Sequence, residues 1–413
     1  MIAETPSTKT SIEAISGNGV GRLTWVTGNN FSGRSAILKK ACEHYSNQTA
    51  AGIIIPPEIY SALSALVPTV AEELLLHLGG NPDDAPAFRR LAEKWGLAAL
   101  AERDPYSLSG GEQSLLVILC KLALAPTLLA IDGALEQLDP SNLNQVLSAI
   151  ATDGDLPRPP RFLLTHNGTI AQYGGTSIRQ VQATDFSDIE RLDKPPPLDI
   201  NGFEPSRCQE PVTIFLKDIS FRYPRGKTVF SGLNLKLEPG RIYRLAGANG
   251  SGKSTLARIL TGILPLNSGE IQVNGKPFNA YARPGTLARL HFQSPDSQLF
   301  EDTVRAELGS LPSAISKSAA RFAGLGGFLN EHPFDLPFVL RKRLALTLIL
   351  HTAAPWLIFD EPTLGQDEQS RIVLSSAFQS LAKCGYGIII ISHNENFADH
   401  VASETIHLDK DIK

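Results

Sequence analysis

Mainly apolar runs of four or five residues recur along the chain and end at polar or charged residues. They occupy residues 23–26, 128–131 and 162–165 in the first half, and 242–246, 356–359 and 388–392 in the second. Such short runs are typical of strands buried on both faces of a parallel sheet. Leu115 to Leu122 and Leu256 to Leu260 have helical spacing. The pattern predicts an α/β fold, with a mainly parallel sheet and flanking helices in each half.

The order of these elements repeats, which indicates two copies of one domain. Matching landmarks lie 228 positions apart for Asp132 and Asp360 and for Asp139 and Asp367, 227 apart for His166 and His393, and 219 apart for Gly28 and Gly247. Chance would not keep four landmarks so nearly in phase. Residues 185–211 carry Pro195-Pro196-Pro197 and many charges, which predicts an extended linker. We therefore predict domains at 1–184 and 212–413.

The second copy contains an additional alternating segment. Ser268 to Gly275 alternates and ends in a turn, which predicts an antiparallel strand. Residues 35–55 of the first copy leave no room for an equivalent. We therefore expect an antiparallel β-subdomain in the second half, and expect it to be largely missing from the first.

A glycine-rich turn between a predicted strand and a predicted helix is the strongest chemical signal. It consists of Gly247, Ala248, Asn249, Gly250, Ser251, Gly252, Lys253, Ser254 and Thr255. Such a turn surrounds a polyphosphate with backbone N–H groups, and the helix N-terminus adds positive charge. Lys253 is expected to reach the β- and γ-phosphates, and Ser254 to bind Mg²⁺. The alternative, a glycine-rich turn that ends in Lys-Ser by chance, is disfavoured by the flanking strand and helix.

Composition limits the other possibilities. A chain of 413 residues suffices for two domains, and its net charge of −4 argues against nucleic acid as a direct partner. The most apolar stretch, residues 114–131, contains Lys121 and Pro126, so we expect no membrane span. The polar N-terminus lacks a secretion signal, and the four scattered cysteines suggest neither a metal cage nor a disulfide framework. These features favour a cytoplasmic location.

A serine-glycine motif in the first half is similar to a motif of a known family. Leu108 is followed by Ser109, Gly110, Gly111 and Glu112. Together with the phosphate loop, the strands that end in carboxylates and the strands that end in histidine, this motif resembles the ATP-binding cassette (ABC) ATPases over essentially the whole chain. Residues 293–304, Gln-Ser-Pro-Asp-Ser-Gln-Leu-Phe-Glu-Asp-Thr-Val, resemble the glutamine loop of energising subunits in energy-coupling-factor and cobalt-type importers.

The resemblance implies that the two halves pair and share ATP and Mg²⁺ between them. One composite site would use the second half's phosphate loop and the signature Ser109, Gly110, Gly111 and Glu112 of the first. The resemblance gives adenine stacking to Tyr223 and Mg²⁺ contacts to Ser254, Gln293 and Asp360. It gives catalytic roles to Gln293, which senses Mg²⁺ and the attacking water, to Glu361, which activates that water, and to His393, which contacts the γ-phosphate. This site is expected to hydrolyse ATP.

The other composite site departs from the family pattern at every position. Arg34 replaces the loop lysine, and Gly133 stands where Glu361 stands in the second half. The opposing signature is replaced by residues 336–340, Leu-Pro-Phe-Val-Leu, in which Pro337 has no N–H to donate. No glutamine is recognisable near Pro56-Pro57-Glu58. The resemblance therefore implies a degenerate second site.

The leading hypothesis is an ATP-hydrolysing importer subunit at the cytoplasmic face of the membrane, docked on separate integral membrane subunits. The alternative is a soluble twin-cassette ATPase that remodels a ribosome, a nucleic acid or a protein complex. A nucleotide-locked scaffold is disfavoured by Glu361.

Several residues also permit simpler interpretations. His166 and His393 are alternatively buried histidines at strand ends, and Tyr223 is alternatively a core aromatic. Arg341-Lys342-Arg343 is interpreted as a solvated helix start, or else as a contact for an acidic partner.

Overall fold

The structure is a computed structural model with two compact units, Met1–Lys194 and Pro195–Lys413. It describes residues 23–27, 34–46, 52–56, 59–64, 66–78, 85–108, 110–137, 140–151, 160–165, 178–182, 198–203, 205, 207–223, 228–247, 250–392 and 394–408. Predicted site residues outside these ranges are Asn249, Ser109 and His393.

The first unit is built on one parallel sheet. Its described strands are β1 (Leu23–Thr27), β2 (Gly52–Ile55), β3 (Leu128–Asp132), β4 (Arg161–Thr165) and β5 (Ile178–Gln182). Its described helices are α1 (Arg34–Ser46), α2 (Val70–His77), α3 (Ala85–Lys94), α4 (Gly110–Ala123) and α5 (Pro140–Ala151). The strands pair in the order β2-β3-β4-β1-β5.

Helices cover both faces of this sheet, as the continuous apolar runs predict. Along β3, Leu128 and Ala130 pack with Ile37 of α1 in one hydrophobic cluster. Leu129 and Ile131 belong instead to the cluster that contains α4. Successive side chains of a strand point to opposite faces, so both sets are buried.

The second unit has a larger set of elements. Its strands are β6 (Ile214–Arg222), β7 (Thr228–Leu237), β8 (Ile242–Ala246), β9 (Ser268–Val273), β10 (Lys276–Pro277), β11 (Ala288–His291), β12 (Trp356–Asp360), β13 (Gly387–Ile391) and β14 (Glu404–His407). Its described helices are α6 (Lys253–Leu260), α7 (Val304–Gly309), α8 (Ser313–Ala323), α9 (Phe338–Leu350), α10 (Glu368–Lys383) and α11 (Glu395–Val401).

The central sheet of the second unit repeats the topology of the first. Its parallel strands run in the order β11-β12-β13-β8-β14, which matches the first unit strand for strand. Trp356 and Ile358 face the cluster that contains α6, whereas Leu357 and Phe359 face the cluster that contains α10. The predicted α/β fold and the tandem repeat are confirmed.

An antiparallel sheet in the second unit corresponds to the alternating segment found in the sequence. Its strands pair in the order β10-β9-β6-β7. Asn274 and Gly275 connect β9 to β10 with φ angles of 50° and 78°, as a type I′ turn requires. In the first unit, the described strands all belong to the parallel sheet.

Part of the segment predicted as a linker, residues 185–211, packs onto the second unit. Leu198, Phe203 and Cys208 are buried in the cluster that contains α10. The N–H of Cys208 donates to the carbonyl of Cys384 at 3.0 Å. The second unit therefore includes residues that precede position 212. The domain boundaries at 184 and 212 stay predictions.

A helix must be long and apolar to cross a membrane. Among the helices that the structure describes, none is long and apolar enough to do so.

Candidate functional site

The phosphate loop lies between β8 and α6, as its sequence predicts. Gly252, the last residue before α6, has a φ of 100°, and a Cβ there would lie 2.6 Å from side-chain atoms of Phe230 and Val229. Only glycine fits this left-handed, closely packed position. The loop is therefore held against β7, with its helix N-terminus at the carboxyl edge of the parallel sheet.

Lys253 crosses this loop. Its Nζ donates to the carbonyl of Gly247 at 2.6 Å, at the point where the chain leaves β8. The side chain is half-buried. The ammonium thus lies close to the end of β8, where it adds its charge to that of the N-terminus of α6.

A hydrogen bond joins the phosphate loop to the end of β12. The Oγ of Ser254 donates to Oδ2 of Asp360 at 3.0 Å. Burial raises the pKa of Asp360, while the Ser254 bond and the charges of Lys342, Arg258 and Lys253 act in the opposite direction. A hydroxyl and a carboxylate at this distance are the hard oxygen ligands that Mg²⁺ prefers, so these residues fit the expected ion.

Glu361 follows Asp360 in a left-handed backbone conformation, with a φ of 49°. Its N–H donates to the carbonyl of Ile391 at 2.8 Å, and the Oγ of Ser392 donates to its Oε2 at 3.1 Å. The residue is almost fully buried. Contacts from the end of β13 thus fix both the backbone and the carboxylate.

A third contact to Glu361 corrects one sequence interpretation. Lys342, on the second turn of α9, donates from Nζ to the carbonyl of Glu361 at 2.9 Å. Lys342 and Arg343 are only 1% and 2% exposed, so the prediction of a solvated helix start at residues 341–343 is wrong. The sequence shows three adjacent charges but not the distant acceptors that allow them to be buried.

Gln293 lies two residues after the end of β11 and is half-buried. The turn behind it is closed by Gln298, whose Nε2 donates to the carbonyl of Leu290 at 2.7 Å and whose Oε1 accepts from the N–H of Phe292 at 2.8 Å. Register places β11 next to β12, so this loop leaves the same sheet edge as Asp360.

Tyr223 lies beside the first turn of α6. Its hydroxyl is 3.1 Å from Oγ1 of Thr255, and its ring meets that of Phe221 edge-on at 4.9 Å between centroids. An open cavity of about 480 Å³ is lined by these two rings together with Arg222, Phe230 and Asn267. Tyr223 is half-buried, and it borders both the core and this cavity.

The remaining predicted residues are only partly described. Gly110 and Gly111 begin α4 in the first unit, Gly111 is buried and Glu112 is half-buried. Ser109, Asn249 and His393 lie outside the described residues, as do the first half's loop at 28–33 and His166. Their roles stay predictions.

The carboxyl end of β3 in the first unit differs from the equivalent end of β12 in the second. Gly133 has a φ of 64°, which reproduces the left-handed backbone of Glu361 without its side chain. The Oγ1 of Thr165 accepts from the N–H of Gly133 at 2.7 Å and donates to Oδ1 of Asp132 at 2.9 Å. Asp132 is therefore engaged by the neighbouring strand, whereas Asp360 is engaged by the phosphate loop.

A repeated buried carboxylate was missed by sequence reasoning. In the second unit Glu307 accepts from the N–H groups of Phe300 and Glu301, the latter at 2.8 Å. In the first unit Glu73 accepts from the N–H of Ser64 at 2.7 Å. The signal was present in the sequence, since Thr-Val-x-x-Glu occurs at 69–73 and again at 303–307.

These carboxylates hold turns that project apolar residues. Phe300 is 83% exposed and Leu66 is 79% exposed. Thr303 and Thr69 cap the helices that carry the two carboxylates. Both units thus present a large apolar side chain beside a rigid turn.

Comparison with known proteins places this site in a family context. Residues 230–364 match the family model described as ABC transporter. A putative ABC transporter ATP-binding protein of Methanosarcina acetivorans is 27% identical over 464 residues, which covers 92% of this chain and 75% of the relative. The matched range of the family model includes the phosphate loop, Gln293, Asp360 and Glu361.

Two further relatives match about half of the chain. The energy-coupling factor transporter ATP-binding protein EcfA of Methanocaldococcus jannaschii is 34% identical over 192 residues, covering 43% of this chain and 69% of the relative. A putative ABC transporter ATP-binding protein of Pyrococcus furiosus is 32% identical over 208 residues, covering 47% of this chain and 79% of the relative.

Proposed function

Because the chain belongs to the family of ABC transporter ATP-binding proteins, we propose that it is the energising subunit of an energy-coupling-factor-type importer, with one catalytic and one degenerate ATP site. The observation that carries the catalytic assignment is the Ser254–Asp360 hydrogen bond, with Glu361 held at its side. Glycine loop, lysine, hydroxyl and two carboxylates meet at one sheet edge. This set can bind and hydrolyse a nucleoside triphosphate.

In the proposed mechanism the chain supplies charge and position. Lys253 and the N–H groups of the loop bind the β- and γ-phosphates. Ser254, Asp360 and Gln293 would hold Mg²⁺, and the ion would supply positive charge to neutralise the transferred phosphoryl group. Glu361 accepts a hydrogen bond from the attacking water, a general-base role that typically contributes about 10²–10⁴-fold.

The other half is proposed to close this site. Ser109, Gly110 and Gly111 would donate to the γ-phosphate, and His393 would contact it from the second half. ATP binding would bring the halves together, and hydrolysis would separate them. One working site is sufficient for that cycle.

The second composite site is proposed not to hydrolyse ATP. Arg34 and Gly133 replace the lysine and the glutamate, and Pro337 precedes α9 where the first half has Ser109. Phe338 and Val339 are half-buried, and their side chains lie beside Gly365, each 3.4 Å from the position that a Cβ on Gly365 would take. Residues 337–339 thus carry side chains at the positions where the signature of the first half has a serine and two glycines.

The proposed partners are integral membrane subunits that dock beside the glutamine loop from the cytoplasmic side. The exposed Phe300, on its carboxylate-held turn, supports this surface. Two ATP-binding relatives carry transporter names, one of them an energy-coupling factor protein. The alternative is a soluble twin-cassette ATPase. The one feature that supports it is the antiparallel subdomain that we expect to be largely missing from the first half.

Affinity capture from detergent-solubilised membranes tests the importer proposal. The tagged full-length chain should recover integral membrane proteins in defined stoichiometry. Recovery of ribosomes, nucleic acid or soluble complexes alone would favour the twin-cassette alternative. Basal ATP hydrolysis, measured in parallel, tests the catalytic assignment independently of the partner.

A further inference from the structure

The first two turns of α9 carry three consecutive basic residues, which contact two loops of the second unit, the glutamine loop and the connection between β12 and α10. We propose that Arg341, Lys342 and Arg343 are positioning residues for ATP hydrolysis, which hold the glutamine loop, Glu361 and the residues on both sides of Asp367 in one arrangement. This inference rests on the proposed catalytic role of Glu361. It concerns residues that the family resemblance did not single out.

Lys342 provides the contact nearest to the chemistry. Its Nζ donates to the carbonyl of Glu361, the residue that follows β12, at 2.9 Å. A fully buried ammonium is costly unless charges and hydrogen bonds offset the loss of water. Asp360 and Glu361 provide that offset, and the neutral, buried ring of His291 is a further neighbour. The position is therefore maintained by the two residues at the centre of the site.

The backbone of Glu361 explains why such a contact is needed. A φ of 49° is disfavoured for a residue with a side chain and persists only where its surroundings determine it. The N–H bond to Ile391 holds one side of the residue, and the carbonyl on the other side accepts from Nζ of Lys342 at 2.9 Å and from the N–H of Leu364 at 3.3 Å. With both peptide groups held, the Cα of Glu361 is fixed, and the bond from Ser392 to Oε2 then orients the carboxylate.

The internal repeat supplies a comparison within the same chain. In the first unit the equivalent backbone position is Gly133, which adopts a φ of 64° without strain. The three positions that correspond to 341–343 are Gln113, Ser114 and Leu115, which carry no charge. The cations thus occur in the copy that has a glutamate to position, and are missing from the copy that has none.

Arg341 extends the arrangement to the glutamine loop. Its Nη1 donates to both carboxylate oxygens of Asp296, at 2.9 and 3.0 Å. Asp296 lies three residues after Gln293 and four before the exposed Phe300. A displacement of this loop by a bound partner would therefore act directly on α9, and through Lys342 on Glu361.

Arg343 completes the set on the other side of the helix. Its Nε donates to Oε1 of Gln366 at 3.2 Å, and Nη2 donates to Oγ of Ser370 at 3.0 Å. These acceptors flank Asp367, which caps α10. The start of α9 thus contacts the glutamine loop and both ends of the connection between β12 and α10.

Steady-state ATP hydrolysis by Lys342→Met in the full-length chain tests the proposal. Methionine keeps the apolar stem but removes the donor. We expect kcat to fall about 100-fold, because small misplacement of a catalytic group has effects of this size. The affinity for a non-hydrolysable ATP analogue should stay within about threefold, since Lys253 and the loop are unchanged. A folded variant with unchanged kcat would overturn the proposal.

Two further variants keep the test decisive if Lys342→Met does not fold. Asp296→Asn alters a half-exposed partner of Arg341 and should lower kcat several-fold with the same retained affinity. Glu238→Gln, which breaks an exposed ion-pair cluster elsewhere in the unit, is the matched control and should change neither. Equal effects of Asp296→Asn and Glu238→Gln on kcat would contradict the proposal.

The variant Glu361→Gln separates this proposal from the function on which it rests. If Glu361→Gln retains turnover, the catalytic role of Glu361 is wrong. If Glu361→Gln is inactive while Lys342→Met keeps wild-type kcat, the positioning role alone fails. In single-turnover measurements the double variant should be no slower than Glu361→Gln, because Lys342 acts through that residue.

Discussion

The hydroxyl of Ser254 lies 3.0 Å from Oδ2 of Asp360 and donates a hydrogen bond to it. The two residues are 106 positions apart in the chain, and the bond ties the start of α6 to the carboxyl end of β12. The start of α6 and the acidic strand end therefore lie together in one site. The predictions for the ATPase site of the second unit are based on this arrangement.

The loss of Lys253 should abolish turnover, whereas the loss of its counterpart should not. Lys253→Ala removes the ammonium from the phosphate loop, and we expect hydrolysis to fall at least about 100-fold. Arg34→Ala is the matched control at the equivalent position of the first half and should leave turnover within about twofold. Release of inorganic phosphate measures both. A large loss from Arg34→Ala would contradict the proposed asymmetry of the two sites.

Glu361→Gln should separate binding from chemistry. The amide keeps the size of the side chain but is a much poorer base, so hydrolysis should fall by about 10²–10⁴-fold. ATP binding should persist, because the phosphate loop and the Ser254–Asp360 pair are intact. Equilibrium nucleotide binding together with single-turnover hydrolysis checks the prediction. Wild-type turnover by this variant would remove Glu361 from the mechanism.

The buried amine of Lys342 predicts a pH-dependent stability difference. Burial lowers its pKa from 10.5 to about 8, although Asp360 and Glu361 favour the charged form. Between these values the unfolded chain binds more protons than the folded chain, so the free energy of unfolding rises with pH. At neutral pH both states are protonated and the burial penalty is present in full.

Urea denaturation of wild type and Lys342→Met checks this prediction. The wild type should gain stability relative to the variant between about pH 7 and about pH 9.5, because other titrating groups are common to both chains. His291 faces the same region, and burial lowers its pKa well below the ordinary value, so it stays neutral over this range. A relative loss of wild-type stability at the higher pH would contradict the prediction.

Phe300 should matter for partner binding and not for basal chemistry. Phe300→Asp places a charge on a side chain that is 83% exposed, so folding and basal ATP hydrolysis should be retained. Capture of the membrane partner should fall at least about tenfold if an aromatic anchor is lost. Ile372→Asp, at a position that is 62% exposed on α10, is the control and should bind normally. Equal capture by the two variants would exclude Phe300 from the docking surface.

Much of the site could be predicted from sequence because its signals are local. The phosphate loop needs glycines, a lysine and a hydroxyl within nine residues, and the strand before Asp360 is a single apolar run. The repeat of the whole order then fixed the fold class, which the matching strand orders of the two units confirm.

The residues that sequence reasoning missed depend on contacts between distant elements. The sequence around Lys342 predicts a solvated charge, because its acceptor, the carbonyl of Glu361, lies 19 positions further along the chain. Glu307 reads as an ordinary helix residue, although it holds the turn at Phe300. Burial of a charge is decided by tertiary packing, which overrides the local preference for solvent.

Shared catalysis between the halves is the central claim, and ATP hydrolysis by Ser109→Arg tests it most directly. The variant changes only the first half, yet we expect turnover by the second half's site to fall at least about 100-fold while nucleotide binding persists. Pro337→Arg, the same substitution at the equivalent position of the second half, is the control and should remain active. Full activity of Ser109→Arg would show that the two halves do not share the site.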